Sequence, residues 1–121
     1  MSETAEDLFK QGVERYQAGE SVDTLIPHFR DLCDRAKHNS PAWTCLAWLY
    51  LLADKPTQAY KAARKAVKYG PDDAQARVNL AIAMLETGET GVRSHIEMAQ
   101  QLVAIPEVRT EIEGNFADGL S

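Results

Sequence analysis

Residues 40–73 read SPAWTCLAWLYLLADKPTQAYKAARKAVKYGPDD, and the order of the chain turns on how they are divided. The first part, Ala42–Ala53, carries two tryptophans, a tyrosine, a cysteine and four leucines but no charge. A membrane-spanning helix needs about 20 mainly apolar residues, and this run stops at Asp54-Lys55-Pro56. It therefore predicts a buried helix, apolar on more than one side. The second part alternates alanines with cations at helical spacing and ends at Gly70-Pro71, a helix stop followed by a turn. The stretch predicts two helices joined by a tight turn.

The same punctuation recurs along the chain, at Ala18-Gly19-Glu20, Asn39-Ser40-Pro41 and Thr87-Gly88-Glu89-Thr90-Gly91. Apolar residues fall at helical spacing nearly throughout, and no segment alternates with period two over a convincing length. Helices are expected at 4–17, 21–37, 40–53, 56–69, 73–87 and 91–104, with a short one after Pro106.

Within residues 40–73 the spacing is Trp43-x2-Leu46-Ala47-x2-Tyr50, then Ala59-x3-Ala63, Ala66 and Pro71. This pattern resembles the tetratricopeptide repeat, with alanine in place of the glycine and the second-helix aromatic. A third unit follows through Leu80, Ala81, Met84, Ser94, Met98, Leu102 and Pro106. A first one precedes it through Leu8, Gly12, Gly19, Leu25, Phe29 and Leu32. The outer units each need one extra residue to keep phase. Pro27 falls near the start of the first unit's second helix, where proline is tolerated. The resemblance covers residues 5–106 and implies an all-α fold, a right-handed superhelical stack of three helical hairpins plus a short C-terminal helix. The chain is read as one domain, with repeats at about 5–39, 40–73 and 74–108 and a C-terminal segment at 109–121.

Composition narrows the function. A 121-residue chain with 45% hydrophobic and 26% charged residues is ordinary for one globular domain. Its formal net charge of -5 argues against nucleic acid or an anionic membrane as the main partner. The acidic opening MSETAEDLFK has no apolar signal core, so a cytoplasmic protein without membrane insertion is expected. Cys33 and Cys45 fit no metal spacing and are read as packing residues. His28, His38 and His95 lie on separate segments without ligand spacing. There is no phosphate-binding glycine loop and no distinctive carboxylate pair. No enzyme, metal or cofactor is therefore expected.

The stripe Trp43, Leu46, Ala47, Tyr50 faces its partner helix, where Ala59, Ala63, Ala66 and Val67 offer small side chains against large ones. The residues left over are more informative. In the family the first helices of successive repeats line a concave face. The resemblance places there Phe9, Val13 and Tyr16, then Thr44, Trp48 and Leu51, then Val78, Ile82 and Leu85, with Asn79 beside them. Each trio follows i, i+4, i+7 spacing, and eight of the nine are apolar or aromatic. A large aromatic buries about 150–250 Å², so Phe9, Tyr16 and Trp48 together approach the roughly 300–600 Å² of the largest apolar patch on an ordinary monomer. Three readings stand: a groove filled by an apolar or amphipathic helix of another protein, a groove covered by the chain's own C-terminal segment, and residues that are partly inter-repeat core.

The family's carboxylate clamp for heat-shock C-terminal peptides uses Lys, Asn and Arg. Here Phe9, Val13 and Cys45 stand at clamp positions, and only Asn79, with Gln75 nearby, keeps the polarity. That activity is not expected. Lys61, Arg64, Lys65 and Lys68 form a second feature, a basic stripe at i, i+3, i+4, i+7. It is read as a solvated outer face or as a dock for an acidic protein or, more weakly, RNA. The functional expectation is a non-catalytic scaffold or assembly factor that binds another protein. The alternatives are a homodimer that buries its own groove, or an adaptor working through the basic stripe.

Overall fold

A computed structural model describes residues 3–88, and every regular element among them is an α-helix. Helix α1 spans Ala5–Gln17, α2 Val22–Arg35, α3 Ser40–Leu52, α4 Pro56–Tyr69 and α5 Ala74–Thr87. They form two complete hairpins, α1–α2 and α3–α4, and the first helix of a third, with α3 packed against α2, α4 and α5. The helices expected at 91–104 and after Pro106, and with them the C-terminal segment, lie outside the described residues.

Local chemistry sets the boundaries. Thr4 and Asp7 close a capping box at the start of α1. Ser21, Asn39 and Asp73 each accept a backbone N–H at the starts of α2, α3 and α5. Pro41 and Pro56 occupy first-turn positions in α3 and α4, where a missing N–H costs nothing. The turn between α3 and α4 holds Asp54 at φ 58°, left-handed backbone that Asp tolerates better than most residues.

Two features of α2 differ from expectation. Helix α2 stops at Arg35, because Ala36 leaves helical geometry and its carbonyl takes the N–H of Asn39 in a turn. Pro27 also lies well inside α2, where it cannot donate to the carbonyl one turn back. It sits on the exposed face, so water can solvate the group left over.

The core runs through all five helices. Trp43, Leu46, Ala47 and Tyr50 are buried on α3, and Ala59, Ala63 and Ala66 are buried opposite them on α4. Leu25, Phe29 and Leu32 on α2 are fully enclosed. At the α1–α2 crossing Gly12 lets the helices approach closely, since a Cβ there would lie 2.5 Å from Phe29 Cζ. A polar clip closes the same hairpin. His28 Nε2 donates to the Leu8 carbonyl (2.7 Å), so its Nδ1 is the acceptor for Arg15 Nη1 (3.0 Å). Arg15 also forks onto the Glu20 carboxylate. Of the clip residues only Leu8 lies on the repeat spacing, because the repeat pattern marks only apolar and small positions.

Candidate functional site

The first helices α1, α3 and α5 are tied to one another directly. Trp48 Nε1 donates to Tyr16 Oη at 3.3 Å, joining α3 to α1. Asn79 Nδ2 donates to the Thr44 carbonyl at 3.1 Å, and Thr44 Oγ1 donates to Asp73 Oδ2 at 3.0 Å, joining α5 and its cap to α3. Side chains on these three helices that are not consumed by the core therefore belong to neighbouring surfaces.

The expected contact residues divide into three groups. Val13, Tyr16, Trp48, Leu51, Val78 and Ile82 are half-buried. Leu85 is 64% exposed, the most open of the large apolar side chains among the described residues. Phe9 is half-buried but meets Phe29 edge-on, with ring centroids 6.4 Å apart, so part of it belongs to the first hairpin's core. Thr44 and Asn79 are a correction. They are 8% and 0% exposed, and Asn79 accepts from Gln75 Nε2 at 2.8 Å while donating to Thr44. Burying Asn79 costs little because its polar atoms are paired. It stitches the second repeat to the third and has nothing left to offer a ligand, which also removes the last polar remnant of a carboxylate clamp.

Cys45, half-buried on α3, and Cys33, buried on α2, are free thiols. Burial pushes the Cys33 thiol from 9.0 up to about 12, with Cys45 and Asp34 adding to the shift. Burial, then Asp73, pushes Cys45 up to about 12 as well. Neither is a reactive thiolate at neutral pH. Among the described residues no group of His, Cys, Asp or Glu gathers to hold a metal, and no helix is long and apolar enough to cross a membrane.

The basic stripe lies on the opposite side of its hairpin. Lys61, Arg64, Lys65 and Lys68 are all exposed, while Ala59, Ala62, Ala63 and Ala66 of the same helix are buried. Aromatic rings, not carboxylates, support the cations. Lys65 Nζ sits 4.5 Å from the Trp43 ring centre, Lys68 Nζ 5.3 Å from Tyr69, and Arg64 Cζ 5.6 Å from Tyr60. His38 stacks on Tyr69 at 4.7 Å. The ion pairs among the described residues are Arg15–Glu20 and Arg35–Asp31, neither on this helix.

Helix α4 is electrostatically poor by the standard of its neighbours. Its stripe contains the like-charge spacings 61/64, 61/65, 64/68 and 65/68, each costing about 0.2–0.5 kcal/mol. Lys55 stands at the N-cap, with no side-chain cap bond and no acid in the first turn. Only Lys68, near the C-terminal end, is placed where the helix dipole favours a cation.

No protein-family model matches the chain, and no curated protein does. Solved structures do. The Yersinia enterocolitica type III secretion translocator chaperone SycD, in complex with a peptide of the translocator YopD, superposes with a TM-score of 0.78 at 20% identity, over 99% of this chain and 92% of SycD. The fold is shared. An alternative dimer of SycD gives a TM-score of 0.76 at 20% identity over 99% and 91% of the two chains. A further SycD structure gives 0.72 at 20% identity, over 92% and 86%. At such identity the likeness speaks to the fold alone.

Proposed function

We propose that the chain is a non-catalytic binding scaffold, of the assembly-factor or chaperone kind, that holds an apolar or amphipathic segment of another protein against its first helices. The helical hairpins are read as tetratricopeptide repeats, and the cytoplasm as the place of work. The contact surface is Val13, Tyr16, Trp48, Leu51, Val78, Ile82 and Leu85, with the outer part of Phe9. The carrying observation is the Trp48–Tyr16 hydrogen bond, which joins two half-buried aromatics from separate repeats into one continuous floor. A floor of this kind suits a helix laid across i, i+4, i+7 anchors. That SycD has been seen with a translocator peptide supports the reading.

Affinity capture from native extract tests it. Trp48→Glu and Leu85→Glu should each lose the captured protein while keeping the helical circular-dichroism signal. Leu85 is open enough that its substitution cannot unfold the core, so undiminished capture by Leu85→Glu, or collapse of the fold in Trp48→Glu, would remove the floor's centre. A second reading, a homodimer that buries this face, is favoured by the exposure of Leu85 and by the SycD dimer. Sedimentation across concentration separates the two, since only self-association raises the average mass as concentration rises.

A further inference from the structure

The cationic face of α4 is not used by the proposed groove, and its construction is out of keeping with the rest of the chain. The other four helices begin with a capping side chain; α4 begins with Lys55 and no cap. The chain as a whole is acidic, yet residues 53–70 hold five cations against Asp54. A face that only needed solubility could have alternated signs, turning the like-charge spacings into favourable ones. A run of repulsion kept on one exposed stripe is a local conflict of the kind expected at functional surfaces.

We propose that this stripe docks an acidic segment of a protein partner, at a site separate from the first-helix floor. Lys61, Arg64, Lys65 and Lys68 present four cations along about 10 Å of helix, a spacing matched by carboxylates at i, i+4 and i+7 on an acidic helix lying alongside. Charge complementarity would relieve the repulsion within α4 and reward a partner that carries no compensating cations. The aromatic rings argue against RNA as the occupant. Trp43 and Tyr69 already have a lysine over one face, Tyr69 also stacks with His38, and Trp43 is 9% exposed, so these rings do not offer the free stacking platform that single-stranded nucleic acid requires.

The intact chain is titrated with a labelled helical peptide bearing glutamates at i, i+4 and i+7, with its glutamine counterpart, and with poly-uridine. The glutamate peptide should bind and the glutamine peptide should not. Its affinity should fall several-fold as salt is raised from roughly 0.05 to 0.3 M, as screening shortens the reach of exposed charges. Lys61→Glu/Lys68→Glu should weaken binding about tenfold or more, yet melt close to wild type, because the new pairs with Arg64 and Lys65 offset the dipole and ring contacts that Lys68 loses. If that variant fails to fold, Lys61→Gln/Lys68→Gln carries the same comparison. Equal binding by wild type and folded variant overturns the proposal, as does tighter, stripe-dependent binding of poly-uridine. The same follows if the wild type ignores the glutamate peptide, including the case where Glu107→Gln/Glu111→Gln/Glu113→Gln restores binding. That last result would give the stripe to the chain's own acidic tail.

Discussion

The indole N–H of Trp48 donates to the phenol oxygen of Tyr16, across 32 residues of sequence and between the first helices of two repeats. Neither residue is fully buried, so the bond orders a surface as much as it stabilises a fold. Tyr16→Phe keeps the ring and removes the acceptor. Denaturant unfolding should show a loss of about 0.5–1.5 kcal/mol, with capture of a partner weakened only slightly. A loss of capture as complete as that of Trp48→Glu would mean that the hydroxyl itself is a contact.

Gly12 is a test of close packing. Alanine is the better helix former by about 1 kcal/mol, but its Cβ would meet Phe29 Cζ at 2.5 Å and His28 Cδ2 at 2.9 Å. Overpacking of this sort costs about 1–3 kcal/mol. Gly12→Ala should therefore lower the thermal midpoint, and His28, which holds the Leu8 carbonyl, should shift with Phe29. A midpoint at or above that of wild type would show that α1 can move outward freely.

Asn79→Leu addresses the stitch between the second and third repeats. The substitution leaves the Thr44 carbonyl without this donor and Gln75 Nε2 without this acceptor, in a region closed to water. Stability should fall by about 1–3 kcal/mol. A wild-type melting curve would mean that water or a shifted Gln75 takes over both bonds.

These sites also mark how far the chain could be read in advance. The middle hairpin was legible because Trp43, Leu46, Ala47 and Tyr50 follow helical spacing and meet a row of alanines, and that is how they pack. Thr44 and Asn79 were placed on the surface by the same register, yet they are buried. Spacing assigns a side chain to a face of a helix, but not to the depth at which a neighbouring repeat covers that face. The Arg15–His28–Leu8 clip was invisible for a related reason: it joins residues 13 and 20 positions apart through a carbonyl that no pattern marks. The expected cationic stripe is exposed as read, but the ring beneath Lys65 belongs to α3, so only the packed hairpin discloses it.

The two thiols give the fold a pH dependence on the alkaline side. Below pH 9 both are protonated in the folded and unfolded chains alike. Above it the unfolded thiols ionise while the folded ones hold their protons up to about 12. Stability present below pH 9 is thus lost progressively as pH rises towards 12. Cys33→Ala and Cys45→Ala should each flatten this decline relative to wild type, and native alkylation at pH 8 should be slow at both positions. Rapid modification of Cys45 without unfolding would contradict its raised pKa.

The two tryptophans of the chain lie on different business ends of one helix. Trp43 is sealed by the Lys37 carbonyl at its nitrogen and Lys65 at its face; Trp48 points to Tyr16. An anion drawing Lys65 away would alter the emission of the first, and a chain segment laid over α1 and α3 would alter the second. Single-tryptophan forms, Trp48→Phe and Trp43→Phe, thus make the molecule its own two-channel optical reporter, able to tell in solution which side a guest has chosen.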